Sequence, residues 1–136
     1  MALIPIRFSD CDSFGHVNHA SYLTYCEDHR TEMFTVMGEE CGSWLLKSGF
    51  VVVSVSCNYL RFLTLSDRKV EVACSVQNLG ESSLRLHYVI SSAGNVVADI
   101  SSTLVLTDGA DPRPMTESER SWLSQFQDDA NESTED

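Results

Sequence analysis

Phe8-Ser9-Asp10-Cys11-Asp12-Ser13-Phe14-Gly15-His16-Val17-Asn18-His19 runs directly into a long helical pattern that continues past Phe34. Acids at 10 and 12, a glycine at 15 and histidines at 16 and 19 fall where an extended segment gives way to a helix. Such a junction can aim a carboxylate at a substrate while the helix N-terminus offers unpaired backbone N–H groups to developing negative charge. That is the layout of a small acyl-transfer site.

Working outward, residues 2–8 read as a first strand, with Pro5 suited to an edge or a strand start. From Asn18 to Met37, apolar positions Tyr22, Cys26, Met33 and Met37 recur at helical spacing, with Leu23 and Phe34 beside them. This predicts a helix of roughly five turns with a broad buried face. Gly38 is its expected stop, and Glu39 to Lys47 can add a short helical turn. After Gly49 the period changes to two. Val51, Val53, Val55, Cys57 and Tyr59 form one alternating run; Val70 to Val76, Leu84 to Ile90 and Val96 to Leu106 form three more. Short glycine-bearing links, Asn78-Leu79-Gly80-Glu81 and Ala93-Gly94-Asn95, predict antiparallel hairpins. The expected fold is α+β: one strand, one long helix packed on a sheet face, then four meandering strands. Residues 116–126 suggest a C-terminal helix with a capping box from Thr116 to Glu119.

The bulk properties narrow the function. A chain of 136 residues, 43% hydrophobic, is one globular domain. No apolar run approaches the ~20 residues that cross a membrane, and Met1-Ala2-Leu3-Ile4-Pro5-Ile6 shows no signal-peptide pattern. The five cysteines are odd in number and scattered, which disfavours a disulfide framework or zinc site and points to the cytoplasm. Net charge is −11, with five acids in the last nine residues; the body, near −6, disfavours nucleic acid. The expected division is a domain over 1–126 and an acidic, disordered tail over 127–136. Arg61, Arg68, Lys69 and Arg85 remain available for a phosphate-bearing small ligand.

The motif from Phe8 to Tyr22, followed by Arg30-Thr31-Glu32-Met33, resembles the hot-dog-fold acyl-CoA thioesterases, most closely the 4-hydroxybenzoyl-CoA thioesterase branch with its YbgC-like members. Tyr59-Leu60-Arg61, with Leu63, Leu65 and Asp67, is similar to the family's second strand and turn. Phe62 departs from it, since many relatives carry proline there, which bears on the pocket rim. The resemblance implies an antiparallel sheet of about five strands wrapped around one central helix. It implies Asp12 as the catalytic carboxylate, attacking the thioester carbonyl or activating the water that does. It implies His19 as the second catalytic residue, its backbone N–H polarising the carbonyl and its side chain near substrate or leaving thiol. The substrate-binding positions it carries over are Gly15, His16, Val17, Asn18, Glu27, Tyr59 and Arg61. No cofactor or metal is implied, and partners are an acyl-CoA or acyl-carrier-protein thioester and further copies of the chain, as a homodimer or homotetramer.

Other readings of the same residues stay open at this point. Asp is favoured in turns and caps, and Asp10 fits that role better than a catalytic one. Asp10, Asp12, His16 and His19 offer metal-ligand chemistry, but their spacing matches no metal signature. Glu27 can orient a water or simply pair with Arg30 or Arg7; Arg61 can meet CoA phosphates or stand solvated at a strand end. A hot-dog dehydratase and a non-catalytic acyl-CoA-binding module are the rival functions.

Overall fold

The computed structural model describes residues 1–127. Of the expected tail, all but Gln127 lies outside the described residues, and Gln127 bridges to Val76. The period-two runs become long antiparallel strands: β2 (Phe50–Tyr59), β3 (Lys69–Leu79), β4 (Ser83–Ser92) and β5 (Asn95–Asp108). With β1 (Ala2–Pro5) they form a sheet in the order β1-β3-β4-β5-β2, and a short β6 (Asp111–Pro112) pairs with β5. The helix α1 (His19–Cys41) lies against this sheet, α2 (Leu45–Ser48) follows it, and α3 (Glu117–Ser124) closes the chain. Alternate residues of β4 and β5, including Leu84, Leu86, Tyr88, Ile90, Ile100, Leu104 and Leu106, are fully buried against Tyr25, Phe34 and Met37 of α1. This is the expected α+β arrangement, with a curled antiparallel sheet around one long helix.

The structure corrects several expectations. The first strand ends at Pro5, and Phe8–Asp10 is a 3-10 turn, because the Asp10 carboxylate folds back onto the Arg7 N–H at 2.9 Å. Gly38 does not stop α1, which runs to Cys41 and ends at Gly42, the residue that takes the left-handed conformation (φ +79°). Gly38 is instead a contact glycine: any Cβ there would fall within the Trp44 ring. The four strands are not a simple meander. β2 pairs with β5 rather than β3, because residues 60–68 carry the chain across to the opposite side of the sheet.

β2 also breaks its own alternation. The register against β5 shifts between Val52 and Ser54, a bulge at Val53. Phe50 packs edge-on against Phe34 of α1, so the helix-facing set is Phe50 and Val52 before the bulge and Val55 and Cys57 after it. Val51 and Val53, assigned from sequence to that same buried face, stand 49% and 56% exposed, and Val52 and Val55 on the helix side are themselves 43% and 46% exposed. The C-terminal helix forms as expected, with Thr116 and Glu119 reciprocally capped.

Candidate active site

The loop before α1 hangs from Asp10. Its carboxylate accepts hydrogen bonds from the Arg7 N–H (2.9 Å), the Arg7 guanidinium (3.2 Å) and the Tyr25 hydroxyl (2.9 Å). Burial alone would raise this carboxyl, but these donors outweigh it and hold it below its ordinary value. The Asp10 carbonyl in turn accepts from the Asn18 N–H (2.7 Å) and the Ser21 hydroxyl (3.1 Å), tying both ends of the loop together. Val17 N–H donates to the Leu63 carbonyl (2.7 Å), docking the loop on the crossing segment. Asp10 is therefore structural, as its position suggested.

Asp12 sits at the tip of the frame Asp10 builds. One carboxylate oxygen, Oδ1, accepts from the N–H groups of Phe14 (2.9 Å) and His16 (3.2 Å). The Gly15 N–H closes the turn on the Asp12 carbonyl (3.1 Å) at φ +80°, a conformation that favours glycine. The carboxylate is thus fixed through one oxygen, while Oδ2 has no hydrogen-bond partner among the described residues. Asn18 caps α1 through its side chain, which accepts from the Ala20 N–H at 2.9 Å. The next donor, the His19 N–H, has no acceptor among the described residues.

Asp12 and His19 line one cleft of about 390 Å³, together with His16, Val17, Tyr22, Tyr59, Leu60, Arg61 and Phe62. Its walls are held by aromatic contacts. The His16 ring stacks on Phe62 (4.4 Å), Tyr22 meets Tyr59 edge-on (5.0 Å), and the Tyr59 hydroxyl donates to the His19 carbonyl (2.9 Å). Burial, followed by the neighbouring Cys57, pushes the Tyr59 phenol up to about 12, and burial also raises Tyr22. Both are neutral hydroxyl donors at physiological pH. A carboxylate and a helix-start residue with an unpaired N–H in one partly apolar cleft are the groups needed to deliver or activate a nucleophile and to stabilise the oxyanion that results.

Of the site residues expected from sequence, Asp12, His16, Val17, His19, Tyr59 and Arg61 are brought to this cleft. Gly15 and Asn18 shape the loop and cap the helix without lining it. Glu27 lies elsewhere. It forms a 3.9 Å ion pair with Arg30 and lines a second hollow of about 230 Å³ with Leu23, Cys26, Arg30, Val52, Val55 and Ser102. Sequence reading missed Tyr22 and Leu60 as cleft residues. Tyr22 was assigned wholly to the core, and only the fold shows that its hydroxyl reaches the Arg61 carbonyl (3.4 Å). Among the described residues no three His, Cys, Asp or Glu side chains converge to hold a metal ion.

Residues 6–123 match the family described as the thioesterase-like superfamily. The chain belongs to that superfamily. This thioesterase-like protein is 33% identical over 109 residues to the long-chain acyl-CoA thioesterase FadM of Escherichia coli, covering 77% of this chain and 80% of FadM. It is 32% identical over 89 residues to the uncharacterized protein YsmA of Bacillus subtilis, a match that spans only 56% of YsmA. Among solved structures it superposes on a Thermus thermophilus thioesterase complexed with coenzyme A and zinc, with a TM-score of 0.82 and 32% identity over 93% of this chain and 92% of that one. A probable thioesterase, YbaW of Escherichia coli, gives a TM-score of 0.73 and 29% identity over 93% and 98% of the two chains. The hot-dog architecture expected from the motif is thereby established for this thioesterase-like chain.

Proposed function

We propose that the protein hydrolyses acyl-CoA thioesters to free acid and CoA, as a member of the 4-hydroxybenzoyl-CoA thioesterase branch. The observation that carries this is Asp12: its carboxylate is anchored through Oδ1, leaving Oδ2 without a hydrogen-bond partner among the described residues, and it lines the same cleft as His19, whose N–H has no acceptor among them. A thioester carbonyl has weak resonance donation from sulfur, so a positioned carboxylate suffices as nucleophile or as general base. Asp12 either attacks the carbonyl carbon or takes a proton from the attacking water. The carbonyl oxygen, gaining charge, is met by the His19 N–H and the positive end of α1, and each such donor contributes about 3 kcal/mol in acyl-transfer sites. Collapse of the tetrahedral species breaks the C–S bond and expels CoA as thiolate, which takes up a proton; in the general-base route this leaves the free acid, and in the nucleophilic route it leaves an acyl-Asp12 anhydride that a water then cleaves to the acid and the regenerated carboxylate. His16, Val17, Tyr59 and Arg61 bind the substrate around this centre, with Arg61 exposed at the mouth where an anionic phosphate can reach it.

The working unit in this reading is a homodimer or a tetramer built from dimers. β2 is the last strand of the sheet, and its free edge presents Val51 and Val53 to solvent. An unpaired apolar edge of this length is a pairing template, and a two-fold edge-to-edge contact satisfies it. No helix is long and apolar enough to cross a membrane among the described residues, and five unpaired cysteines suit a reducing cytoplasm. The test is thiol release from benzoyl-, hydroxybenzoyl-, short-chain and long-chain acyl-CoAs. Release supports the reading and ranks the acyl groups. Tight binding without release supports a binding module instead, and an enoyl absorbance change without release supports a dehydratase.

A further inference from the structure

The Asp12 cleft carries a pair of stacked rings that the chemistry of hydrolysis does not use. At its mouth the catalytic loop and the crossing segment 60–68 run side by side. His16 bridges antiparallel to Thr64, and the Val17 N–H donates to the Leu63 carbonyl (2.7 Å). Side chains alternate across extended pairings of this kind. Val17 and Leu63 turn inward, 5% and 1% exposed, which leaves His16 and Phe62 on the outward side. There the two rings stack, with centroids 4.4 Å apart and planes 24° from parallel. Phe62 is nonetheless 68% exposed and makes no second ring contact among the described residues. One face of the phenyl ring is thus backed by the imidazole, and the other is open.

A scattered surface phenylalanine is ordinary. This one is held against a second ring in the cleft that also contains Asp12 and Arg61. Phe62 is also where the segment departs from the pattern it resembles, so the ring is a feature of this chain. Arg61, its neighbour, is exposed, and its guanidinium makes no hydrogen bond or ion pair among the described residues. Its backbone is pinned instead: the N–H donates to the Val97 carbonyl (3.2 Å), and the carbonyl accepts from the Tyr22 hydroxyl (3.4 Å). An open aromatic face beside a cation complements a flat ring linked to phosphate. An alkyl chain, by contrast, gains by leaving water, and a ring this exposed does not provide that. A nucleobase stacks through one face and keeps its polar edge wet.

We propose that Phe62, backed by His16, is the platform on which the adenine of CoA stacks, with Arg61 meeting the adjoining phosphates. The inference rests on the thioesterase reading of the Asp12 cleft, and it names the acyl carrier that reading leaves open. Carrier-protein thioesters have the pantetheine arm but no adenine, so the platform favours CoA over them. Because the His16 N–H also binds the Asp12 carboxylate (3.2 Å), base and thioester share one cleft. The pantetheine arm curves between them.

Binding can be measured without turnover by calorimetry with CoA and with pantetheine, which has the same thiol arm and no nucleotide. Wild type should bind CoA the more tightly, and Phe62→Ala should narrow that margin roughly tenfold. Phe62→Trp, which keeps a stacking face, should preserve it. Both variants should fold and keep the wild-type mass in light scattering, since the side chain is largely exposed. The inference is overturned by the absence of a margin in wild type, or by a margin that Phe62→Ala leaves intact. A lower mass for Phe62→Ala assigns the ring to subunit association and overturns it too. So does a Phe62→Ala defect in thiol release that appears with benzoyl-pantetheine and not with cyclohexanecarbonyl-pantetheine, which puts the acyl group on the ring. Thiol release from acyl-CoAs separates the two claims. A Phe62-dependent margin without release removes the thioesterase reading and keeps the platform; release without that margin does the reverse.

Discussion

Glu119→Gln tests the clasp that fastens α3 and the C-terminal segment to the α1–α2 turn. Glu119 is 2% exposed and its carboxylate is fully engaged. Arg113 donates two hydrogen bonds (2.9 and 2.7 Å), the Ser43 hydroxyl one (2.6 Å) and the Thr116 N–H one (2.8 Å). Burial opposes ionisation, but these donors prevail and hold the carboxyl at about 2 against an ordinary 4.5. At 1.36 kcal/mol per pH unit this gap corresponds to about 3 kcal/mol of folding stability. Because the folded value lies below the unfolded one, the contribution is complete above pH 4.5 and is lost as pH falls through about 2. Glu119→Gln should therefore lower urea-derived stability by about 3 kcal/mol at pH 7, or Tm by roughly 10 °C. The gap to wild type should close as the pH approaches 2. The two proteins must be compared at equal concentration, since association adds to apparent stability. A difference under about 0.5 kcal/mol at pH 7, the range of ordinary surface substitutions, would refute the reasoning, as would a gap that does not change with pH.

Gly38→Ala should destabilise by about 1–3 kcal/mol through overlap with the Trp44 ring, although helix propensity alone predicts a gain of about 1 kcal/mol; a higher Tm would contradict the packing. Val51→Lys puts a charge on the free edge of β2 and, if the proposed dimer pairs through that edge, should leave a monomer in light scattering, with turnover lost; an unchanged mass would remove that edge as the interface. Asp10→Asn weakens the charge-assisted bonds from Arg7 and Tyr25 and should cost about 2 kcal/mol in denaturant melts. It should also lower kcat, because the Asp12 loop hangs from Asp10; normal stability and normal kcat would show the frame to be dispensable.

The site was legible in the sequence where its chemistry is local. Asp12, Gly15, Asn18 and His19 act within one loop and one helix turn, so residue type and spacing almost determine their roles: an oxygen captured by the next N–H groups, a positive φ, a side-chain cap. Strand β4 was equally plain, because it buries one face and its alternation is regular, whereas β5 departs at its start, where Val97 and Ala98 are buried and Val96 is 43% exposed. What escaped reading depends on contacts between distant segments. Gly38 resembles a helix stop until Trp44 is seen to occupy the space a side chain would need. β2 alternates convincingly, yet the bulge at Val53 changes which valines face the helix, and nothing in five β-branched or small residues marks the extra one. Its pairing with β5 was hidden because strand order across residues 60–68 is a tertiary choice. Arg30 stood in the sequence as part of the family-like Arg30-Thr31-Glu32-Met33 stretch and as a partner for Glu27, and its near-complete burial appears only in the fold, since a helical pattern of apolar residues does not show that a charged one joins the buried face.

The central claim is that the Asp12 carboxylate performs thioester hydrolysis, and Asp12→Asn measures it most directly. The substitution keeps an Oδ1 acceptor for the Phe14 and His16 N–H groups, so the loop should fold as before, verified by circular dichroism and mass. CoA release followed side by side on the best acyl-CoA should be rapid for wild type and nearly absent for Asp12→Asn. Equal rates in the two proteins would contradict the account.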